Sequence, residues 1–144
     1  MNKYILLIGS VIVILSLAYG CIAIKNVVFD KNRYPYLSEE RYKEEIKGNQ
    51  DVLAMLADKK DNSTIKRDVL HYIYFDSDEQ KNNFITESNK IGYKIEPIED
   101  ENGIIIILNS TTDKETIDEQ VLEICNLAVK YNGEYDGWET SICK

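Results

Sequence analysis

Five branched apolar residues stand in succession near the middle of the chain, Ile104-Ile105-Ile106-Ile107-Leu108. A strand turns alternate side chains to opposite faces, so this run presents apolar groups on both. It suits a strand that lies centrally in its sheet or is covered on both sides. Asn102-Gly103 just before it is a hairpin signal, so the preceding segment 93–98, YKIEPI, is its expected partner. Pro97 cannot donate a ladder hydrogen bond, which places that partner at an edge. A second largely apolar strand is expected over 65–75, IKRDVLHYIYF. Ile65, Val69, His71, Ile73 and Phe75 share one of its faces, and Leu70, Tyr72 and Tyr74 share the other.

Helices fall between and around these strands. Ser38 can cap a helix whose first turn holds Glu39 and Glu40. Tyr42 and Ile46 lie on it, Gly48 can interrupt it, and Asn49 can cap a second piece with Val52, Leu53 and Leu56 as a stripe. Asp61-Asn62-Ser63 is a break. Ser77-Asp78-Glu79-Gln80 is a capping box for a helix with Phe84, Ile85 and Ser88 inward and a stop at Ile91-Gly92. Thr112-Asp113-Lys114-Glu115 has the same form. Behind it Ile117, Val121, Ile124, Cys125 and Ala128 make a buried stripe, with Glu115, Asp118, Glu119 and Glu123 on the wet side. Asn132-Gly133 ends that helix, and Glu134 to about Ser141 is the last strand. The expected fold class is α+β, a ferredoxin-like βαββαβ sandwich preceded by one helix. That topology makes the first and third strands central, and these are the two most apolar ones.

Ahead of this domain, Tyr4 to Ile24 contains no charged residue and is bounded by Lys3 and Lys25. A helix of that length spans about 31 Å, close to the hydrocarbon thickness of a bilayer. One transmembrane helix is therefore expected over residues 4–24, with 1–24 as anchor, 25–37 as polar linker and 38–144 as the α+β domain. Lys25, Lys31 and Arg33 beside the apolar run lean the domain toward the cytoplasm. Ala18-Tyr19-Gly20-Cys21 offers the alternative of a lipoprotein with Cys21 lipidated.

The chain carries 17 Lys and Arg against 25 Asp and Glu. Lys3, Lys25, Lys31, Arg33 and Asp30 are its charged residues up to position 33, which leaves 13 basic and 24 acidic residues beyond, a net of −11. Such a surface opposes direct nucleic-acid binding, and it suits either a basic partner or plain solubility. The three cysteines, Cys21, Cys125 and Cys143, and the one histidine, His71, cannot form a zinc site of the usual Cys/His kind. A Cys125–Cys143 disulfide stays open, against a reduced and buried Cys125. No nucleophile-base pair, HExxH, GxSxG or phosphate-cradling loop is present, so no catalytic residue, cofactor or metal is expected. His71 reads as a packed histidine. Glu99, Asp100 and Glu101 read as a solvated hairpin tip, with a hard-cation site as the alternative. Tyr34, Tyr36 and Tyr42 mark a contact surface or an interfacial belt.

The last strand opens with Glu134-Tyr135-Asp136-Gly137-Trp138-Glu139, which holds the chain's one tryptophan. The odd spacing of Tyr135 and Trp138 sends them to opposite faces of a regular strand, with Gly137 relieving crowding or permitting a bulge. HYIYFDSDEQ, Lys90-Ile91-Gly92-Tyr93, LAVKYNG and above all Tyr135-Asp136-Gly137-Trp138 resemble the RraB family, regulators of ribonuclease E activity. DVLAMLAD resembles that family's N-terminal helix. The resemblance covers roughly residues 39–142 and implies a small acidic α+β protein without enzymatic activity. Its members bind ribonuclease E outside the catalytic site and reduce RNA cleavage. It implies a protein partner, ribonuclease E or another basic protein. Candidate contact residues are Glu115, Asp118, Glu119 and Glu123 on the last helix and Tyr135, Asp136 and Trp138 on the last strand. The alternatives are a ferredoxin-like module holding a small ligand near Trp138 and an immunity-type protein unconnected with ribonuclease E.

Overall fold

The computed structural model describes residues 28–99 and 101–144. Helix α1 (Glu39–Asp58) leads into strand β1 (Arg67–Phe75), helix α2 (Asp78–Ile91) and strand β2 (Lys94–Pro97). Strand β3 (Gly103–Ser110), helix α3 (Lys114–Lys130) and strand β4 (Gly133–Thr140) complete the domain. The sheet order is β2-β3-β1-β4, and every neighbouring pair is antiparallel. This is the ferredoxin-like arrangement, with β1 and β3 central and Pro97 on an edge strand. Ile104 and Ile106 of β3 are buried with Val69 and Ile73 of β1. Ile105 and Ile107, on the other face, remain partly exposed. Among the described residues the isoleucine run is thus central but not covered on both sides.

Each helix starts where local chemistry satisfies its first amides. The side chains of Ser38, Ser77 and Asp113 accept from the backbone N–H groups of Arg41, Gln80 and Thr116. The cap of α3 is therefore Asp113, not Thr112. Thr112 is buried and accepts from the Arg67 guanidinium instead. Gly92 closes α2 at φ 92°, a left-handed value that glycine takes without Cβ strain. Gly48 does not divide α1, which runs through it unbroken.

The core lies between the sheet and its helices. Phe84 of α2 and Ile117, Val121, Ile124, Cys125 and Ala128 of α3 are fully buried over it. Helix α3 packs on β4, and α1 packs on α3. Residues 28–37 do not trail free of this body. Leu37 and Tyr34 are buried, and Phe29 lies against Tyr42 with ring centroids 5.2 Å apart. Tyr34 and Tyr42 thus belong to the core, while Tyr36 stays exposed. Below α1, a buried ion pair joins Arg67 to Asp61 in the Asp61-Asn62-Ser63 break. Asp61 Oδ1 also accepts from the Cys143 amide at 2.8 Å, and the Asn62 amide donates to the Cys143 carbonyl at 2.7 Å. Cys125 and Cys143 are both free thiols.

The transmembrane expectation needs correction. No helix among the described residues is long and apolar enough to cross a membrane. The longest, α1, carries Glu, Lys and Asp along its length, and burying them in hydrocarbon would be costly. The helix expected over residues 4–24 lies outside the described residues, as does the lipidated Cys21 alternative. The described residues form the α+β domain, and none of its helices gives a membrane anchor or a single-pass topology.

Strand β4 contains one irregularity that matters. Its register against β1 runs Trp138 opposite His71 and Gly137 opposite Tyr72, and then Tyr135 opposite Ile73. Asp136 is the extra residue of a β-bulge, and Gly137 takes φ 121° to make it. The bulge shifts the alternation by one, so Tyr135 and Trp138 fall on the same face, toward the helices. The expectation of opposite faces fails because it assumed a regular strand.

Gly48 and Gly137 provide a matched test, since a Cβ at either would meet no atom within 4 Å. Gly48→Ala removes a helix-interior glycine and is expected to stabilise the protein by about 0.5–1 kcal/mol. Gly137→Ala is expected to destabilise it by about 1–3 kcal/mol through backbone strain alone. Urea denaturation of the two variants checks the opposite signs.

Candidate functional site

The two aromatics of the YDGW segment are held from the helical side. The Trp138 Nε1–H donates to Asn49 Oδ1 at 2.9 Å. Asn49 Nδ2 donates to Asp118 Oδ1, also at 2.9 Å, and Lys114 forms an ion pair with Asp118 from the preceding turn of α3. Asn49 is 2% exposed and occupies the inward row of α1 with Tyr42, Ile46 and Leu53. An asparagine there is fully desolvated, so both ends of its amide need partners. Trp138 and Asp118 provide them, which joins α1, α3 and β4 through one side chain. It caps no helix. The signal for its role in the sequence was its position in the 42-46-49-53 row.

Tyr135 is anchored twice. Its hydroxyl lies 2.9 Å from His71 Nδ1, and its carbonyl accepts from Arg41 at 2.8 Å. Arg41 also pairs with Glu45 at 2.7 Å. Since β4 is an edge strand, the guanidinium satisfies a carbonyl that would otherwise invite another strand. A groove of about 430 Å³ opens between this part of α1 and residues 134–138 of β4. Trp138, whose N–H is already engaged, is among the residues that line it.

The titratable groups here are poorly suited to catalysis. Burial lowers the His71 pKa to about 4, with a smaller opposing effect from the Gln120 side chain, so the ring is neutral at pH 7. Burial also raises Tyr135 well above an ordinary phenol. The Cys125 thiol is pushed up to about 11 by burial and by the nearby Glu45 carboxylate, which leaves it protonated and inert. Among the described residues no group of three or more His, Cys, Asp and Glu is placed to hold a metal. Of the hairpin-tip acids, Glu99 and Glu101 are exposed, and Asp100 lies outside the described residues.

The predicted contact residues separate into two sets. Tyr135, Trp138 and Asp118 turn inward and hold the fold together. Asp118 does not sit on the wet side of α3, because α1 covers it. Glu115, Glu119, Glu123 and Asp136 are exposed. Glu119 and Glu123 both pair with Arg33, which reaches α3 from the segment before α1. Sequence reasoning missed Asn49, Arg41 and Arg33, none of which stands in a motif.

Two outcomes test this picture. Asn49→Ala strips partners from the part-buried Trp138 indole N–H and from buried Asp118, so unfolding in urea should show a loss of about 2–4 kcal/mol. For His71, the unfolded state binds the proton first as pH falls below about 6.5. The stability that the neutral buried ring contributes is full above that pH and is lost progressively toward pH 4. Denaturation curves across this range should therefore fall more steeply for the parent than for His71→Gln.

Comparison with known proteins bears on the same elements. The family profile described as RraB: Regulator of ribonuclease activity B matches residues 46–140, from within α1 to the end of β4. A Regulator of ribonuclease activity B from Salmonella typhi is 36% identical over 78 residues, covering 49% of this chain and 56% of the relative. The chain thus spans about half the length of the curated relative it matches. Homology to a regulator of this kind supports a non-enzymatic role. The chain belongs to the RraB family, the regulators of ribonuclease activity B.

Proposed function

We propose that this chain is a non-enzymatic regulator that binds a ribonuclease of the E type and lowers its cleavage of RNA. The observation that carries the reading is the family match over residues 46–140, which takes in all four strands. Physical features agree with action by protein contact. The net charge of −8 repels RNA phosphates and attracts basic protein segments. The buried titratable groups around Tyr135 and Trp138 serve packing, and the exposed carboxylates Glu115 and Asp136 are available to steer a partner, while Glu119 and Glu123 are paired with Arg33. Regulation then follows from occupying the ribonuclease, with no bond made or broken by the regulator itself.

A cleavage assay checks this with the full chain, the ribonuclease E-type enzyme of its host and a single-stranded RNA substrate. The expected result is a dose-dependent fall in cleavage that weakens as salt rises from about 0.05 to 0.5 M, because screening shortens the reach of the surface carboxylates. Unchanged cleavage at saturating regulator overturns the reading.

A further inference from the structure

Among the described residues the helices occupy one face of the sheet, and the other carries an apolar stripe. Leu70, Tyr72 and Tyr74 of β1 lie beside Ile105 and Ile107 of β3 in the central register, each partly exposed. Carboxylates border this stripe. On the four strands, Asp68, Glu96, Glu134, Asp136 and Glu139 are exposed, against the single exposed cation Lys94, which pairs with Glu96 at 3.0 Å. The stripe and its border also touch: the Tyr72 hydroxyl donates to Glu139 at 2.6 Å. The bulge matters here too, because the residue it adds to the strand is Asp136.

We propose that this helix-free face docks a partner protein segment in which Arg alternates with apolar residues. The inference rests on the regulator reading and adds the surface and the chemistry it recognises. Apolar side chains of such a segment fill the space between Leu70, Ile105 and Ile107. Guanidinium groups stack on Tyr72 and Tyr74 and pair with the bordering carboxylates, a combination that Arg provides better than Lys. Charge selects among occupants. A second copy of this chain would set carboxylates against carboxylates, and a nucleic acid would set phosphates against them. The related RNA-binding modules of this topology stack bases on aromatics of the central strands, but here β3 presents isoleucines and the border is acidic.

The test is an NMR titration of the isotope-labelled full chain with a synthetic peptide of alternating Arg and Leu. The controls are a Glu/Leu peptide, an all-Arg peptide and a single-stranded RNA oligonucleotide. Shifts from the Arg/Leu peptide should map to Leu70, Tyr72, Tyr74, Ile105 and Ile107, and the controls should bind at least about tenfold more weakly. Glu134→Lys with Glu139→Lys should weaken the peptide by a similar factor. Glu44→Lys with Asp51→Lys, an equal charge change on the outer side of α1, should not. Shifts mapping elsewhere, no binding, equal weakening by both pairs, or RNA bound on this face would each overturn the proposal. So would direct contacts from residues 1–27 occupying the stripe. A chain that binds the peptide on the sheet yet fails to slow the ribonuclease refutes the ribonuclease reading and leaves the surface standing. The converse result refutes the surface and leaves the ribonuclease reading intact.

Discussion

One extra residue in β4 sets what the rest of the domain can do. Without the bulge at Asp136–Gly137, Trp138 would alternate onto the helix-free face, and Asn49 would be buried with half of its amide unpaired. With the bulge, Tyr135 and Trp138 share the helical side opposite Ile73 and His71. The indole then reaches Asn49, and the Tyr135 carbonyl reaches Arg41. Both partners lie on α1, so the first helix is held to an edge strand that follows it by more than seventy residues. The YDGW segment is in this sense a clasp between the two ends of the domain. Its aromatic residues are consumed by that task.

The domain relies on buried polar groups more than its small size would suggest. Asn49, Asp118, His71 and the Arg67–Asp61 pair are all withdrawn from water. Burying such groups gains little net stability, because desolvation offsets most of the attraction. Losing one member, however, leaves the others unpaired. The arrangement therefore selects a single geometry: α1 has one register on α3 that satisfies Asn49, and the segment after β4 has one position that satisfies Asp61. Such specificity suits a protein that acts by presenting a fixed surface to a partner.

The distribution of charge and apolar area follows from the same layout. The helical layer covers one side of the sheet and spends several acids on its own chain, with Glu119 and Glu123 on Arg33 and Asp118 on Lys114. On the opposite side the carboxylates stand beside two tyrosines and two isoleucines and meet one lysine. A negative border around a partly exposed apolar stripe disfavours phosphates and other acidic surfaces and favours basic protein segments. This is compatible with a regulator that touches the enzyme and not its RNA.

Much of the fold was legible in the residues themselves. Period-2 apolar alternation, the hairpin signal at Asn102-Gly103, Pro97 and the helix caps are local properties, and they placed the strands, the edge and the element order. The family resemblance, carried by YDGW, was legible for the same reason. Other features depended on partners distant in the chain. Asp118 looked solvent-facing because helical periodicity knows nothing of α1, and Asn49 looked like a cap because its acceptor and donor lie 69 and 89 residues away. Tyr34 and Leu37 looked like linker because their burial requires α1 and α3 to be in place. The apolar run at 4–24 suggested a spanning helix from length and composition alone, and no helix among the described residues meets that standard. The sequence by itself thus determined which segments become strands and helices, since those choices rest on neighbours a few residues apart. Only the tertiary structure decided which way Trp138 faces, because a single left-handed glycine reverses the alternation and gains its stabilisation from contacts across the whole domain.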